Sequence, residues 1–378
     1  MGNSQMLLGI VLVFSIMLAN VSAAQLMKKF VGYTFSPVFF TAFSTLFLIL
    51  CFPGYALSVV LQNKLKSQPL TFGLSSPFSL FGPGVRVCSL KPILTKILPL
   101  TLIYLVTNYL YARSLIKLSN TSVAAGMASE IMFVYLLSLI FLGVKNEGIT
   151  SNIRQLLASL FAFAGVLCLT MTSCEEAVLE TGTNATSTEN TCKSFSEQIK
   201  LFIPVLFAAF GAAAYKITFK KLLGNISSGQ VSLFLTLIGL FSVVISFPAV
   251  CYVLLNEIES FPANKETWTF LIASSTCGLF FNWLVNYGVS VTFPLLIAIG
   301  YSLPVPANAV IDRFLWGNRF TAQQLVGIAL SFAAMILIVI PLPQNQEKSD
   351  KKKEKSMTSS YSSSPNEYEK AETLPFNA

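Results

Sequence analysis

The chain contains no histidine, and its only aspartates are Asp312 and Asp350. The first absence removes imidazole metal sites, histidine-based nucleophile activation and histidine proton relays together. The second leaves an intramembrane aspartyl dyad unbuildable. Charge is scarce too: charged residues make up 11% of the 378 residues, against about a quarter in a soluble domain. None of the seven cysteines stands in a CxxC pair or at zinc spacing. No GxxxxGK[ST] phosphate loop is present, so the chain has no ATP hydrolysis of its own to drive work. These absences exclude enzyme classes and predict no cofactor and no metal.

What is abundant is apolar sequence, 54% of the residues, with a mean hydropathy of +0.68. The formal charge of +8 does not point to nucleic acid, because the basic residues lie between hydrophobic runs, where they set topology. Ten runs reach membrane-spanning length: 6–24, 36–61, 95–113, 121–142, 153–174, 199–219, 230–255, 267–289, 293–311 and 322–342. The first resembles a signal peptide but lacks its basic start, and it echoes the sixth. The expectation is an all-α membrane protein in contact with the lipid bilayer.

Two echoes organise these runs. Asn108-Tyr109-Leu110 aligns with Asn282-Trp283-Leu284, and at that offset Gly126 meets Gly300 and Gly143 meets Gly317. Separately, Met27-Lys28-Lys29 aligns with Phe219-Lys220-Lys221. An odd number of spans per half inverts the second copy, an architecture of secondary transporters with the site at the midplane. The sequence therefore predicts two inverted five-helix repeats, 1–197 and 198–343, with a cytoplasmic loop at 62–92. A polar segment at 344–378 reads as a disordered cytoplasmic tail.

Glu130 is the leading functional candidate. It lies about 13 Å from the start of the fourth span at ~1.5 Å per residue, near the middle of a core about 30 Å thick. A carboxylate there costs about 2.5–3.5 kcal/mol to insert, so such residues face a cavity and a function by default. The alternative is a structural carboxyl hydrogen-bonded to a neighbouring helix. At the first offset Glu130 aligns with Pro304 and Met132 with Pro306. The two prolines read as helix breakers that free carbonyls near Gly300, Tyr301 and Ser302 for a polar solute. Tyr109, Asn282, Trp283, Tyr301 and Ser302 complete the candidate solute site, the aromatics stacking on a ring or cation; packing and interfacial belts are the competing reading for such aromatics. Lys216 lies near the end of the sixth span, where snorkelling is the expected behaviour and anion binding the alternative.

Lysine and arginine are nearly balanced between the two sides until the tail lysines are counted, which puts both termini in the cytoplasm. The loop between the fifth and sixth spans then faces outward; it is acidic and carries the glycosylation acceptor Asn184. The acceptors at Asn20, Asn120 and Asn225 lie in or against the membrane and are expected to be silent. Cys174 and Cys192 bracket the same loop, and either a disulfide or two free thiols fits that spacing.

Three stretches carry a family resemblance: NYLYARSLIKLSNTSVAAG (108–126), AAAYKITFKKLLG (212–224) and FNWLVNYGVSVTFPLLIAIGYSLPVPANAVID (281–312). They resemble solute carrier family 35 subfamily F, the thiamine-transporter-like branch of the drug/metabolite transporter superfamily. The resemblance implies an organic-solute carrier of the plasma membrane or Golgi/endomembrane, with thiamine as the leading substrate. Related branches carry nucleotide sugars. Thiamine, a cation with two rings, suits one carboxylate among aromatics, and Glu130 as the embedded acid suggests exchange against a proton. A nucleotide sugar needs a pair of basic groups at the midplane, and a receptor or scaffold working through the tail is a third reading. The sequence predicts no oligomeric state.

Overall fold

The computed structural model describes residues 3–34, 36–65, 93–141, 195–262, 264–291, 303–315 and 321–339, with isolated positions between 154 and 168 and at 297. Tyr301, Ser302, Cys174, Cys192, Asn184, most of the 62–92 loop and the tail after Val339 lie outside the described residues. Those described form helices and short connections, with no strand among them.

The helices are α1 (Asn3–Tyr33), α2 (Pro37–Leu46), α3 (Cys51–Leu65), α4 (Leu98–Lys117), α5 (Asn120–Ala128), α6 (Glu130–Phe141), α7 (Phe195–Leu223), α8 (Ser228–Leu255), α9 (Lys265–Val291), α10 (Pro304–Leu315) and α11 (Ala322–Val339). Among the described residues, six continuous helical stretches are long and apolar enough to cross a membrane: Val11–Tyr33, Pro37–Leu65, Asn120–Phe141, Lys200–Leu223, Ser228–Leu255 and Lys265–Val291. Large apolar side chains such as Phe14, Leu18, Val244 and Phe247 stay exposed, as lipid-facing residues must.

Local sequence explains where the helices break. Pro53 has no N–H for the Ile49 carbonyl, and the chain tightens into a 3₁₀ turn over Phe47–Leu50 between α2 and α3. Thr236 of α8 compensates, its Oγ1 donating to the Ile49 carbonyl at 3.3 Å and accepting from the Phe52 N–H at 3.0 Å. Ser119 caps α5 by accepting from the Ser122 N–H, and Ser227 with Gln230 forms a capping box on α8. Between α5 and α6, the Ser129 hydroxyl donates back to the Gly126 carbonyl at 2.7 Å and the ladder steps at Ser129. Glu130 thus becomes the first residue of α6.

Pro304 is likewise the first residue of α10. Pro304 and Pro306 both fall in the first turn of α10, inside the expected run 293–311, and Gly300, Tyr301 and Ser302 lie outside the described residues. Backbone N–H groups there have no intrahelical acceptor, so neither proline costs a ladder bond.

The strongest packing crosses between early and late helices. α1 lies along α9, α4 along α7, α2 along α8 and α5 along α10. Glycines permit the closest crossings. A Cβ on Gly211 would meet Thr107 Oγ1 at 2.2 Å, and one on Gly126 would meet Val205 Cγ1 at 2.3 Å. Two lysines tie helix ends. Lys28 at the end of α1 donates to the Leu115 and Leu118 carbonyls at 2.7 and 2.6 Å, where α4 ends. Lys220 at the end of α7 donates to the Val289 and Ser290 carbonyls at 2.9 and 3.0 Å, where α9 ends.

Candidate functional site

A cavity of about 130 Å³ lies among α1, α2, α4, α5, α7, α9 and α10. Its walls come from positions that pair at constant offsets. Asn20, Ala23 and Ala24 of α1 line it at the positions where α7 offers Ala212, Tyr215 and Lys216. Tyr104, Thr107, Asn108 and Tyr111 of α4 are matched by Gly278, Phe281, Asn282 and Val285 of α9. Only Asn108 and Asn282 are the same residue in both copies. Each turns its Nδ2 to the carbonyl one turn back, Tyr104 and Gly278, at 2.8 Å. The Tyr215 hydroxyl donates to Asn286 Oδ1 at 2.8 Å, and the Tyr104 and Tyr215 rings sit 5.8 Å apart.

One ion pair carries the charge of this region. Lys216, 1% exposed, donates to Glu130, 0% exposed, across the junction of α7 and α6. The second carboxylate oxygen, Oε2, is buried and accepts no hydrogen bond. Snorkelling of Lys216 is therefore corrected. α7 runs two turns beyond it to Leu223, and packing against α4, α5 and α6 buries the face that Lys216 occupies. Lys216 is the one charged residue among those lining the cavity.

A second embedded acid also went unread. Asp312 is 2% exposed; its Oδ2 accepts from Thr121 N and Oγ1 at 3.1 and 2.6 Å. Gln25 Nε2 donates to Asp312 Oδ1 at 3.1 Å and to Asn308 Oδ1 at 3.0 Å. Three helices, α1, α5 and α10, meet at this carboxylate. Glu130 is consequently not the sole buried acid, although Asp312 already has its oxygens occupied.

The other candidates separate from the cavity. Trp283 stacks on Tyr287 at 5.1 Å and donates from Nε1 to Ser232 Oγ at 3.0 Å, on the side of α9 that meets α8. The Tyr109 hydroxyl accepts from exposed Arg113 at 3.1 Å. Asn282 lines the cavity, and Glu130 reaches its wall through Lys216. Sequence reasoning did not single out Asn108, Asn286, Asn308 or Tyr215 as site residues. The equality of Asn108 and Asn282 across the first offset was the signal available for one of them. Asn120 is 3% exposed at the first turn of α5, in keeping with a silent acceptor.

No family model matches the chain. Among curated proteins it is 26% identical over 335 residues to human solute carrier family 35 member F3, covering 88% of this chain and 72% of that protein. It is 29% identical to human solute carrier family 35 member F4, covering 87% of this chain and 59% of that longer protein. An uncharacterized transporter of Schizosaccharomyces pombe is 27% identical over 135 residues, covering 35% of this chain and 40% of that protein. A solved crystal structure of a protein, 13% identical, matches with a TM-score of 0.51 over 88% of this chain and 96% of that one, which shows a shared fold. The similarity to subfamily F of solute carrier family 35 bears out the resemblance carried by residues 108–126, 212–224 and 281–312. The relatives are carriers and not enzymes, in line with the exclusions drawn from the residue inventory.

Proposed function

We propose that this multi-pass membrane protein is a secondary-active carrier of a small organic solute, a heteroaromatic cation of the thiamine type, exchanged against a proton. The observation that carries the reading is a buried ion pair, Glu130 with Lys216, whose lysine lines a cavity built from matched positions of early and late helices. Tyr104, Tyr111 and Tyr215 supply aromatic faces for a ring, and the asparagines supply amide groups for its polar edge.

The same matching supports a ten-span architecture of two inverted repeats, 1–197 and 198–343. Besides the cavity pairs, Lys28 and Lys220 make equivalent bonds to the ends of α4 and α9, and Glu130 and Pro304 open helices at aligned positions. Rocking of such halves about a central site alternates its access. Both termini then face the cytoplasm and Asn184 the outside, where glycosidase should shift the wild type and not Asn184→Gln.

Lys216 at the cavity favours a second reading, carriage of an anionic solute such as a nucleotide sugar. Its ammonium is already neutralised by Glu130, and two phosphates need more than one such group. The test is uptake of labelled thiamine and labelled nucleotide sugars into proteoliposomes under an imposed pH gradient. Thiamine uptake driven by the gradient and lost in Glu130→Gln is the expected result. Nucleotide-sugar uptake that survives Glu130→Gln overturns the cation reading.

A further inference from the structure

Resting on that exchange reading, the arrangement of charge around Glu130 specifies which group carries the proton. The Glu130 carboxylate is already compensated, since Lys216 donates to it and both side chains are buried. No proton is needed to make Glu130 affordable in a dry interior. An arriving organic cation changes the count. Lys216 lines the cavity with Glu130 behind it, and Glu130 Oε2 is left without a hydrogen bond, so a cation bound in the cavity would place two cations against one carboxylate. Burying an excess charge is far costlier than moving a proton to water. Lysine can relieve this excess, because a buried ammonium can give up its proton and become a neutral amine.

We infer that Lys216, and not Glu130, is the proton-carrying residue of the exchange, with Glu130 a permanently ionised counter-ion shared between the lysine ammonium and the solute. On solute binding one Nζ–H bond breaks, its electron pair stays on nitrogen, and the proton leaves to water. The negative charge of Glu130 passes from the ammonium to the solute cation. Release reverses both steps, so each translocated cation is balanced by one proton.

The surroundings leave this role to Lys216. The elements packed around the pair offer other titratable groups: Tyr104 and Tyr111 on α4, Tyr135 on α6, and Tyr215 and Lys220 on α7. Lys220 is engaged with the Val289 and Ser290 carbonyls and Asn225, and α10 brings Asp312, held by Thr121 and Gln25. On α1, Lys28 is held by carbonyls at the end of α4. The positions matching the pair in the other half are Ala24 and Pro304, which cannot titrate.

The full chain in proteoliposomes, with labelled thiamine outside and a pH-sensitive dye inside, tests the assignment. Lys216→Arg keeps the cation and the pair but removes a dissociable proton. Thiamine-coupled proton movement should fall by at least about 50-fold, the size of a coupling free energy near the upper end of the usual range. Lys216→Met leaves Glu130 to take the proton itself, so the pH at which thiamine affinity levels off should move by at least about one unit from the wild type. Glu130→Gln with Lys216→Met removes both charges and should fold without exchange activity. Retained coupling in Lys216→Arg, or an unmoved pH profile in Lys216→Met, overturns the assignment and leaves the exchange reading standing. Absence of any thiamine-for-proton exchange in the wild type instead overturns the exchange reading. An infrared difference between wild type and Glu130→Gln at neutral pH decides the assignment without solute. No protonated-carboxyl band is expected, and its presence overturns the proposal.

Discussion

α1 and α7 do the same structural work and different chemical work. Each lies along one partner, α9 for α1 and α4 for α7, each lines the cavity at matched positions, and each carries a lysine that ties the last carbonyls of the other helix of that pair, Lys28 to α4 and Lys220 to α9. Yet α1 presents Asn20, Ala23 and Ala24 where α7 presents Ala212, Tyr215 and Lys216. The scaffold repeats while the charge and the largest polar group sit on one copy. Two demands explain the split. Interhelical packing at matched crossings needs similar small surfaces, whereas a cavity that holds an asymmetric solute needs different groups on its opposite walls. A second ion pair at Ala24 and Pro304 would double the buried charge and desolvate it twice.

The largest effect should come from unbalancing the pair. Glu130→Ala leaves Lys216 without its carboxylate in a buried site, a change that costs about 3–5 kcal/mol. Thermal unfolding in detergent should show this loss, and adding Lys216→Met should recover most of it. Ala24→Gly, at the matched position, should cost about 1 kcal/mol, the helix-interior glycine penalty. Equal losses at the two positions would remove the asymmetry argued above.

The crossings themselves differ next. Gly211 has Thr107 within 2.2 Å of any added Cβ, while the matched position on α1 is already an alanine, Ala19. Gly211→Leu should overpack α7 against α4 by about 1–3 kcal/mol, lower expression and slow uptake, and Ala19→Leu should be milder. Cysteine cross-linking yields between α4 and α7 would report the separation directly.

Much of the scaffold was legible before any coordinates. The described helices overlap the expected spans because apolar runs of spanning length leave the chain few other solutions. The alignment of Glu130 with Pro304 marked two helix starts, though it was read as a charge facing a kink. The site was less legible. Lys216 was judged by its distance from a helix end, which says nothing about the face it occupies. Its alignment with Ala24 at the second offset was the overlooked sign that this face is inward. Trp283 and Tyr109 attracted notice as aromatics next to an echo. Ring size does not reveal direction, and each lies one helix step from the asparagine that does line the cavity. Asp312 falls one residue past the 293–311 run, and hydropathy sees one residue at a time and not Thr121 or Gln25 across the bundle.

A smaller contrast separates two helix starts that accept carboxylates from distant sequence. Asp312 accepts from the start of α5, and Glu259, in the connection between α8 and α9, accepts from the Val38 and Phe39 N–H groups of α2 at 2.9 and 3.1 Å. Burial pushes the Glu259 carboxyl up from its ordinary 4.5, the two N–H donors pulling it back only in part. A raised value in the folded state means the protonated form is favoured by folding. That contribution is fully present below about pH 4.5 and is lost as pH rises through the folded-state value. Glu259→Gln should flatten stability over this range, measured by thermal unfolding across pH. Asp312→Ala should instead cost about 1–3 kcal/mol by stranding the buried partners of its oxygens. An unchanged pH slope in Glu259→Gln would show that its carboxyl does not titrate differently on folding.

The smallest effects should come from the two lysines that make the scaffold look alike. Lys28 and Lys220 each place an ammonium on the final carbonyls of a partner helix, where the helix dipole is negative and backbone acceptors have no donor. Each contact is worth about 0.3–1 kcal/mol at a helix terminus of this kind. Lys28→Met and Lys220→Met keep most of the side-chain volume and remove only the charge and its bonds. Their losses should therefore agree within about 0.5 kcal/mol, the usual tolerance for independent sites. Asn225, which accepts from Lys220 at 2.7 Å, has no role at Lys28 and should be released at little cost because it is exposed. Paired unfolding measurements on the two variants, and on the double variant, would check both equality and additivity. A loss confined to one lysine would mean that the two ends are held differently, and that the likeness of α1 and α7 stops at their sequence.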